Sequence, residues 1–356
     1  MPILDVRNGP DQRAFLERTD IDDLAKRGTA SPDHVIRIKA KPLVLRKSVW
    51  SAGRDAIKAV IDEYASQYHA MFDRQAPSAD QPKKILSPDP KTIWMEGIGF
   101  IGLGSNAKAA SVAGDLAVQN ARVRAIGEDT GGFYPISEKD LFDCEYWSLE
   151  QAKLGKGTPP KMQGRVVLVT GGAGAIGKAI ADAFTALGAQ CFLVDQDQET
   201  LNQTLKDLGT GHAGLALDVT EQGAADSAMH ACINTFGGLD ILVSNAGAAL
   251  SGAMLDVPSD QLRDAFELNF FSHHAFAVEA AKLFKLQGRG GQLLFNISKQ
   301  AINPGKNFGA YGMPKATTLF LMRQLALELG RDGILVNGVN ADRIRSGLLT
   351  DDFIAE

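Results

Sequence analysis

Tyr311 and Lys315 stand four residues apart in a stretch whose apolar pattern predicts a helix beginning near Ala310. Residues at this spacing share a helix face, so the phenol and the ammonium are expected side by side. A free phenol has a pKa of about 10 and is a poor base at neutral pH. The ammonium lowers that pKa, which would let the tyrosine exchange a proton with a hydroxyl group. Pro314 is expected in the first helical turn, where its missing N–H loses no partner.

A glycine-rich segment, Val169–Lys178, follows a short apolar run and precedes residues with helical apolar spacing. Gly172, Gly174 and Gly177 fit the G-x-G-x-x-G pattern. The first glycine of this pattern makes a tight turn, the second admits a pyrophosphate, and the third lets the helix pack on the strand. The run before the loop is typical of a buried parallel strand. The segment therefore predicts a dinucleotide-binding loop.

A second predicted strand, Cys191–Val194, ends at Asp195, 18 residues after Gly177. A carboxylate at this place accepts hydrogen bonds from the adenosine ribose hydroxyls and repels a 2′-phosphate. Capping of a turn is the alternative role for this residue. Its position after the glycine loop favours ribose binding, and therefore NAD over NADP. An oxidised nicotinamide also brings positive charge, which helps to lower the pKa of Tyr311.

Two more strand-like runs extend the pattern. The first ends at Asp218, followed by Val219, and this acid could reach the adenine amino group. The second runs into Asn245, Ala246 and Gly247. Strands that alternate with helices predict an α/β fold with a doubly wound parallel sheet, the Rossmann architecture.

In their order, these residues resemble the short-chain dehydrogenase/reductase family, whose members carry T-G-x-x-x-G-x-G, D-V, N-A-G, a lone helix asparagine, Ser, Y-x-x-x-K and N-P-G. The resemblance covers about residues 164–356, and the ordered set is more specific than any single motif. It implies cofactor contacts at Thr170, Gly171, Gly172, Gly174, Ile176, Gly177, Asp195, Asp218, Val219, Asn245, Ala246, Gly247, Tyr311, Lys315 and Ser346.

The same resemblance implies a catalytic set of Asn269, Ser298, Tyr311 and Lys315. Ser298 would hold the substrate oxygen, and Asn269 would help to hold a water chain leading to Lys315. A solvated helix residue is the alternative for Asn269. The family spacing, counted back from Tyr311, gives Ser298 as the serine. Alignment by the preceding strand gives Lys299 instead, which could donate a similar hydrogen bond, but we predict Ser298.

Several departures from the family pattern bear on the site. Ala175 replaces a glycine and adds a methyl group beside the cofactor. Only the asparagine of N-P-G is kept, at Asn340, and Ser346 stands where a threonine touching the nicotinamide amide is usual. The chain stops at Glu356, so we expect a fragment with an incomplete substrate lid.

A stretch rich in glycine, proline and lysine, residues 155–162, is typical of a linker. It divides the chain into residues 1–154 and residues 163–356. The first part is α/β as well. Its patterns predict strands at 34–38 and 92–95, helices at 54–72 and 106–126, and a further helix that starts after a capping box at Ser137 and runs to about Leu154.

A second G-x-G-x-x-G match, Gly97–Gly102, also lies between a predicted strand and a predicted helix. After that helix comes a polar turn, Gly127–Gly132, where a dinucleotide fold requires a second buried strand. We therefore predict a glycine turn needed for packing rather than a second cofactor site.

Two stretches of the first part, Arg27–His34 and Asp140–Lys153, resemble the region before the dehydrogenase half of bifunctional rhamnulose-1-phosphate aldolase/short-chain dehydrogenase proteins. The resemblance implies that residues 1–154 are the C-terminal part of a class II aldolase-like region. Such aldolases hold zinc with histidines, but the first part has only His34 and His69 and lacks an H-x-H pair. We therefore predict neither a metal site nor aldolase activity for these residues.

The remaining histidines are interpreted structurally. His34 beside Asp33 is expected to stabilise a turn, with a substrate contact in a longer protein as the alternative. His273 and His274 are adjacent and lack H-x-x-x-H spacing, so we predict core or surface histidines rather than metal ligands.

The composition is that of an ordinary globular protein. Two domains are the default for 356 residues, and a net charge of −5 gives no electrostatic reason to expect nucleic acid or a membrane as partner. The three cysteines are widely spaced and without C-x-x-C, so we expect reduced core residues. No apolar run is long enough for a membrane helix and the N-terminus has no signal-peptide h-region, so we expect a cytoplasmic location. The family resemblance implies a homo-oligomer in the full-length protein.

These observations predict an NAD-dependent oxidoreductase that transfers a hydride between nicotinamide and a small-molecule alcohol or aldehyde. The resemblance suggests a substrate such as lactaldehyde, from deoxy-sugar (rhamnose-like) catabolism. A sugar-phosphate dehydrogenase or epimerase of the same fold is one alternative. A non-catalytic NAD-binding sensor or scaffold is the other, and Lys299 with the incomplete lid motivates it.

Overall fold

The computed structural model describes residues 2–148, 158–342 and 344, and the chain divides between Pro159 and Pro160 into two compact units. The elements of the first unit, numbered in chain order, are β1 (Ile3–Arg7), α1 (Pro10–Leu16), α2 (Ile21–Lys26), α3 (Pro32–Ile38), β2 (Leu43–Leu45), α4 (Lys47–Trp50), α5 (Arg54–Gln75), β3 (Thr92–Met95), β4 (Gly99–Gly104), α6 (Ala107–Asp129) and α7 (Glu138–Glu145).

The first unit is built on a mixed sheet with the strand order β1-β4-β3-β2. β4 is antiparallel to both of its neighbours, whereas β2 and β3 are parallel. Trp94 of β3 and Phe100 of β4 are each 1% exposed and pack against Phe15 of α1, with ring centroids 4.9 and 5.6 Å from that ring. A buried aromatic cluster thus joins the sheet to α1.

The glycine motif of the first unit serves packing, as predicted. Gly97, with φ +78°, lies in the turn between the antiparallel strands β3 and β4. A Cβ on Gly102 would stand 2.3 Å from the backbone nitrogen of Gly114, and a Cβ on Gly104 would stand 2.1 Å from that of Ala110. Both glycines therefore let α6 lie directly on β4.

Two predicted elements of the first unit are wrong. Residues 34–38 form part of α3 rather than a strand, because Pro32 opens a helix that buries Val35 and Ile38. The Ser137 hydroxyl does accept a hydrogen bond from the Asp140 N–H, as the capping pattern predicted. The helix nevertheless ends at Glu145 and not near Leu154, which lies outside the described residues. Tyr146 leaves the helical path with its hydroxyl bonded to Tyr68.

The second unit contains β5 (Val166–Thr170), α8 (Ala175–Ala186), β6 (Gln190–Asp195), α9 (Gln198–Leu208), β7 (Ala213–Ala216), α10 (Ala224–Phe236), β8 (Ile241–Ser244), α11 (Ser259–Phe266), α12 (Ser272–Gln287), β9 (Gly291–Asn296), α13 (Gly309–Leu329) and β10 (Ile334–Val339). A π-helical turn, Glu267–Phe271, joins α11 to α12.

The second sheet has the strand order β10-β9-β8-β5-β6-β7, and every pair in it is parallel. This is the doubly wound order, so the expected Rossmann architecture is confirmed. Val167 and Val169 of β5, Leu193 of β6 and Val243 of β8 are at most 1% exposed. The central strands are thus buried, as their continuous apolar runs predicted.

Two details of the second unit differ from expectation. β7 ends at Ala216, so Asp218 follows the strand by two residues rather than closing it. Pro314 is the sixth residue of α13 and lies inside the helix, not in its first turn. It therefore removes the N–H that would bond to the carbonyl of Ala310, a loss that the first turn would have avoided.

Among the helices of the described residues, none has both the length and the apolar character needed to cross a bilayer. In the same residues, no group of three or more histidine, cysteine, aspartate or glutamate side chains is placed to hold a metal ion.

Candidate active site

A cavity of about 350 Å³ lies where the chain order of the second sheet reverses, beside β5. Ligands of doubly wound folds bind at this topological switch point. Most of the predicted cofactor residues line the cavity, namely Gly171, Gly174, Ile176, Gly177, Asp195, Asp218, Val219, Asn245, Ala246, Gly247, Tyr311 and Lys315. Ser346 lies outside the described residues.

The glycine loop has the geometry of a phosphate cradle. A Cβ on Gly177 would stand 2.0 Å from the carbonyl oxygen of Gly171, so only glycine allows α8 to begin this close to β5. The N-cap of α8, Gly174, has no side-chain cap, and the first turn of α8 contains no acidic residue. Backbone N–H groups at the helix start thus remain to bind an anion, which fits the pyrophosphate of a dinucleotide.

The tight turn is made by a different glycine from the predicted one. Gly171 has φ +61°, a conformation that side chains rarely adopt, whereas Gly172 has no such angle. Gly172 is buried, and a Cβ on it would stand 2.9 Å from the side chain of Leu193. Gly172 therefore does not line the cavity, because it packs against β6.

Thr170 also lies behind the cavity wall. Its hydroxyl accepts hydrogen bonds from the backbone N–H groups of Asn245 and Ala246, at 2.9 and 3.1 Å. The Asn245 side chain donates to the carbonyl of Thr170 at 2.9 Å and accepts a hydrogen bond from Asn296 at 2.9 Å. These bonds join the ends of β5, β8 and β9 and fix the backbone under the cavity.

The two acidic residues of the cavity are held by hydrogen bonds. Asp195 accepts hydrogen bonds from the N–H groups of Ala173 and Asp197, at 2.9 and 3.3 Å. Asp218 accepts from the backbone N–H and the hydroxyl of Thr220, at 2.9 and 2.7 Å. Both carboxylates therefore have fixed orientations, and both also line the cavity.

The structure places Ser298, and not Lys299, beside the tyrosine. Burial raises the pKa of the Tyr311 phenol, and an interaction with the Ser298 hydroxyl, the smaller effect, lowers it. Lys299 forms an exposed ion pair with Asp342, at 3.2 Å. The pKa of Tyr311 is thus raised in the protein without a cofactor, whereas the spacing of Tyr311 and Lys315 predicted a lowered one.

Lys315 is buried at the end of the cavity, 5.9 Å from the centre of the Tyr311 ring. Its Nζ donates to the carbonyl oxygen of Asn296 at 3.1 Å and lies 3.4 Å from His273 Nε2. Burial lowers the pKa of Lys315 to about 8. The ammonium is therefore sensitive to each acceptor that it contacts.

Asn269 lies in the π-helical turn and is 1% exposed. Its Nδ2 donates to the carbonyls of Ala248 and Ala265, at 3.0 and 3.1 Å, while its Oδ1 is buried without a hydrogen-bond partner. That Oδ1 and Lys315 Nζ lie 2.7 and 3.4 Å from the point where a Cβ on Gly247 would stand. An open acceptor beside Lys315 fits the role of Asn269 in holding water.

Sequence reasoning missed residues around this cavity. Asn296 lines it and bonds to both Asn245 and Lys315, and its place at the end of a strand just before Ser298 was the available signal. His273 is a buried histidine, in line with the core interpretation, but its contact with Lys315 left no pattern in the sequence.

The first unit has a separate cavity of about 690 Å³, lined in part by Lys39, Tyr64, Tyr68 and Glu145. Lys39 and Glu145 are a buried ion pair with Nζ and Oε1 3.5 Å apart, and the Tyr68 hydroxyl donates to the same Oε1 at 2.9 Å. Lys39 has φ +62°, a strained angle for a residue with a side chain. His34 is buried, and its Nδ1 is bonded to the Ser31 hydroxyl at 2.6 Å rather than to Asp33.

Comparison with family models divides the chain in two. Residues 1–154 match the family described as aldolase class II, second domain, and residues 165–353 match the family described as short chain dehydrogenase.

Several curated relatives are similar. The chain is 31% identical over 358 residues to YuxG of Bacillus subtilis (strain 168), an uncharacterized oxidoreductase, in a match that covers 97% of this chain and 51% of that protein. It thus spans about half the length of that relative. Cis-2,3-dihydrobiphenyl-2,3-diol dehydrogenase of Paraburkholderia xenovorans (strain LB400) is 34% identical, over 53% of this chain and 69% of that protein. Sorbitol dehydrogenase of Cereibacter sphaeroides is 31% identical, over 50% of this chain and 70% of that protein.

Solved structures resemble the chain over a similar extent. The 3-ketoacyl-(acyl-carrier-protein) reductase of Brucella melitensis, complexed with NADH, has a TM-score of 0.51 at 25% identity, over 52% of this chain and 78% of that one. A putative short-chain alcohol dehydrogenase of Sinorhizobium meliloti has a TM-score of 0.52 at 27% identity, over 55% and 79%.

Proposed function

Because the chain belongs to the short-chain dehydrogenase family, we propose that it transfers a hydride between NAD and a small alcohol or aldehyde. The family membership inferred from the ordered motifs is confirmed, as is the likeness of the first part to class II aldolases. The chain is an oxidoreductase of this family, and a nicotinamide cofactor follows from that class. The choice of NAD, the substrate and the residue roles below are proposals.

One observation carries the proposal: Tyr311, whose phenol interacts with Ser298, and Lys315 of the same helix line the cavity that contains the glycine loop. The phosphate cradle and the proton-transfer group thus border one cavity. A dinucleotide bound at the loop would have its reactive ring near the phenol, as hydride and proton transfer on one carbon–oxygen group require.

When bound, the oxidised nicotinamide supplies the hydride acceptor and a positive charge near the phenol. Tyr311 Oη, as phenolate, takes the proton of the substrate hydroxyl, and it returns that proton in the reverse direction. The Ser298 hydroxyl donates a hydrogen bond to the same substrate oxygen. Lys315 stabilises the phenolate, and Asn269 Oδ1 holds water next to the ammonium.

Asp195 supports NAD over NADP. Its carboxylate lines the cavity at the end of β6, where the adenosine ribose of a dinucleotide lies in this fold. A 2′-phosphate at that place would meet a like charge.

For the substrate we propose a small hydroxyl compound or its aldehyde, derived from a deoxy sugar. Support comes from the relatives, which are named for a dihydrodiol and for sorbitol, and from the aldolase-like first part, since sugar-phosphate cleavage yields small aldehydes. A cytoplasmic homo-oligomer is the expected setting, on the family resemblance and the free cysteines Cys144, Cys191 and Cys232.

The test is to follow NADH formation and consumption by the full chain with lactaldehyde, 1,2-propanediol, sorbitol and a cis-dihydrodiol. Tyr311→Phe should lower kcat by at least about 100-fold, while the Kd for NADH changes little. An active Tyr311→Phe variant would refute the role of the phenol. Binding of NADH without turnover of any compound would favour the sensor. Interconversion of sugar epimers without net formation or consumption of NADH would favour the epimerase.

A further inference from the structure

Three side chains form a buried line of contacts that ends at Lys315. Ser244 Oγ lies 2.6 Å from His273 Nδ1, and His273 Nε2 lies 3.4 Å from Lys315 Nζ. The three residues are 2%, 1% and 3% exposed, and they come from β8, α12 and α13. The catalytic roles described above use neither Ser244 nor His273.

We infer that His273 is a positioning residue, whose neutral imidazole accepts a hydrogen bond from the Lys315 ammonium and is itself oriented by Ser244. The inference deepens the proposed function and rests on it for the role of Lys315. His273 touches neither substrate nor cofactor in this scheme, since it acts through the lysine.

The contacts decide which ring nitrogen carries the proton. An ammonium has only donors, so Nε2 must offer its lone pair to Lys315. The single hydrogen of the neutral ring is then on Nδ1, where it is donated to the Ser244 hydroxyl. Ser244 thus fixes the tautomer, as the partner on the far nitrogen of a histidine commonly does.

These contacts also orient the amine. Of the three N–H groups of Lys315, one is donated to the carbonyl of Asn296 and one to His273 Nε2. The third remains for the cavity that Lys315 lines, on the side of Tyr311 and Asn269. Two fixed acceptors therefore hold the amine in place and leave its third N–H to the cavity.

A role of His273 in positioning Lys315 fits the surroundings better than a role in relaying protons. The ionisable groups here are His273 on α12 and Lys315 with Tyr311 on α13, whereas β8 adds the Ser244 hydroxyl and β9 the Asn296 carbonyl. No carboxylate of the described residues is bonded to the histidine or the lysine. Burial, and then the charge of Lys315, hold the pKa of His273 well below its usual range, with an opposing effect from the Ala246 backbone. The ring therefore stays neutral and does not take up a proton that a relay would have to pass through it.

The variants follow from this geometry. His273→Phe removes the acceptor, and His273→Gln returns a carbonyl oxygen that does not titrate. His274, the adjacent and exposed histidine, gives the matched control His274→Phe. His273→Phe should lower kcat by about tenfold or more with a smaller change in KM, because a buried donor loses its partner. In the pH profile of alcohol oxidation, the acid limb should move to higher pH. His273→Gln should restore both kcat and the position of that limb.

A second measurement needs neither cofactor nor turnover. In protein with ¹³C-labelled lysine, NMR titration of the Lys315 Cε signal should give a pKa near 8 for the parent chain and at least one unit lower in His273→Phe. His273→Gln and His274→Phe should match the parent. An unchanged Lys315 titration in folded His273→Phe protein would overturn the inference.

A ¹⁵N-histidine spectrum of the parent chain is a test that does not depend on the folding of any variant. A neutral ring protonated on Nδ1 between pH 6 and 8 is expected, and a ring protonated on Nε2 would overturn the inference. If no substrate turns over but the Lys315 titration shifts as described, the proposed function fails while the positioning role of His273 is supported. If turnover occurs and the titration does not shift, the positioning role of His273 fails while the proposed function is supported.

Discussion

The Asp195 carboxylate accepts a hydrogen bond of 2.9 Å from the backbone N–H of Ala173, which joins the end of β6 to the glycine loop. The residue proposed to select NAD therefore also holds the loop that cradles the phosphates. Its charge and its acceptor function are separable, because an asparagine keeps an acceptor oxygen but carries no charge.

We predict that Asp195→Asn shifts the cofactor preference toward NADPH. The amide still accepts from Ala173 but no longer repels a 2′-phosphate, so the ratio of the NADPH to the NADH dissociation constants should fall by about tenfold. Fluorescence titration with both cofactors measures this ratio. Asp197→Asn is the matched control, since Asp197 caps α9 nearby and does not line the cavity. An unchanged ratio in Asp195→Asn would rule out charge-based selection.

The second prediction compares two neighbours. Ser298→Ala should lower kcat/KM by about 100-fold, because it removes a hydrogen bond to the reacting oxygen. Lys299→Ala should change kcat/KM less than about threefold, since this lysine is occupied by an exposed ion pair with Asp342. Steady-state kinetics on the best substrate of the panel decide between them. A larger loss in Lys299→Ala would transfer the role to the lysine.

Sequence patterns were sufficient where local signals and the fold agree. The apolar runs and the glycine loop predicted the parallel strands β5, β6 and β8, because each run is buried along its length and bounded by turns. Patterns failed where tertiary packing decides. Residues 34–38 have the β-branched content of a strand, yet burial of Val35 and Ile38 selects the helix α3.

The site shows the same division. The spacing of Tyr311 and Lys315 could be read directly, since four residues on a helix place two side chains on one face. The contacts of His273 and Asn296 with Lys315 could not, because they join residues 42 and 19 positions apart. The π-helical turn that buries Asn269 also lacks a sequence signature, as its extra residue leaves the apolar pattern almost unchanged.

The third prediction concerns the packing glycine of β4. Gly102→Ala should destabilise the first unit by about 1–3 kcal/mol or more, because the new methyl would meet the backbone of α6 at 2.3 Å. All three tryptophans, Trp50, Trp94 and Trp147, belong to the first unit, so denaturant unfolding followed by tryptophan fluorescence reports on it.

Two comparisons check that prediction. Gly330→Ala adds a methyl with nothing within 4 Å and should leave the tryptophan transition unchanged. The Kd for NADH should also be unchanged in Gly102→Ala. A loss of NADH binding in that variant would mean that the motif takes part in a cofactor site.

The fourth prediction concerns the buried pair of Lys39 and Glu145. Lys39→Met leaves a buried carboxyl without its cation and should destabilise the first unit by about 3–5 kcal/mol. The double variant Lys39→Met/Glu145→Gln removes both charges and should recover much of that loss. The tryptophan transition measures both variants. Equal stability of the single variant and the parent chain would show that the pair contributes nothing.

The last prediction is that the proposed catalytic lysine reduces the stability of the protein at neutral pH. Burial lowers the pKa of Lys315 from 10.5 to about 8, so a charged Lys315 destabilises the folded state relative to the unfolded chain. The unfolded state binds more protons between these two pKa values, so stability rises with pH across that window. Below about pH 8 the cost is present in full, and above about pH 10.5 it is absent.

Lys315→Met should therefore stabilise the second unit by up to about 3 kcal/mol at pH 7, and by less than about 1 kcal/mol at pH 10. Denaturant-dependent hydrogen exchange of β5, whose strand is fully buried, reports on this unit without a tryptophan. Lys39 also has a pKa of about 8, but it is common to both proteins and cancels from the difference. If the difference in unfolding free energy between Lys315→Met and the parent chain stays constant from pH 7 to 10, burial does not destabilise the ammonium. The ammonium would then not need His273 as an acceptor.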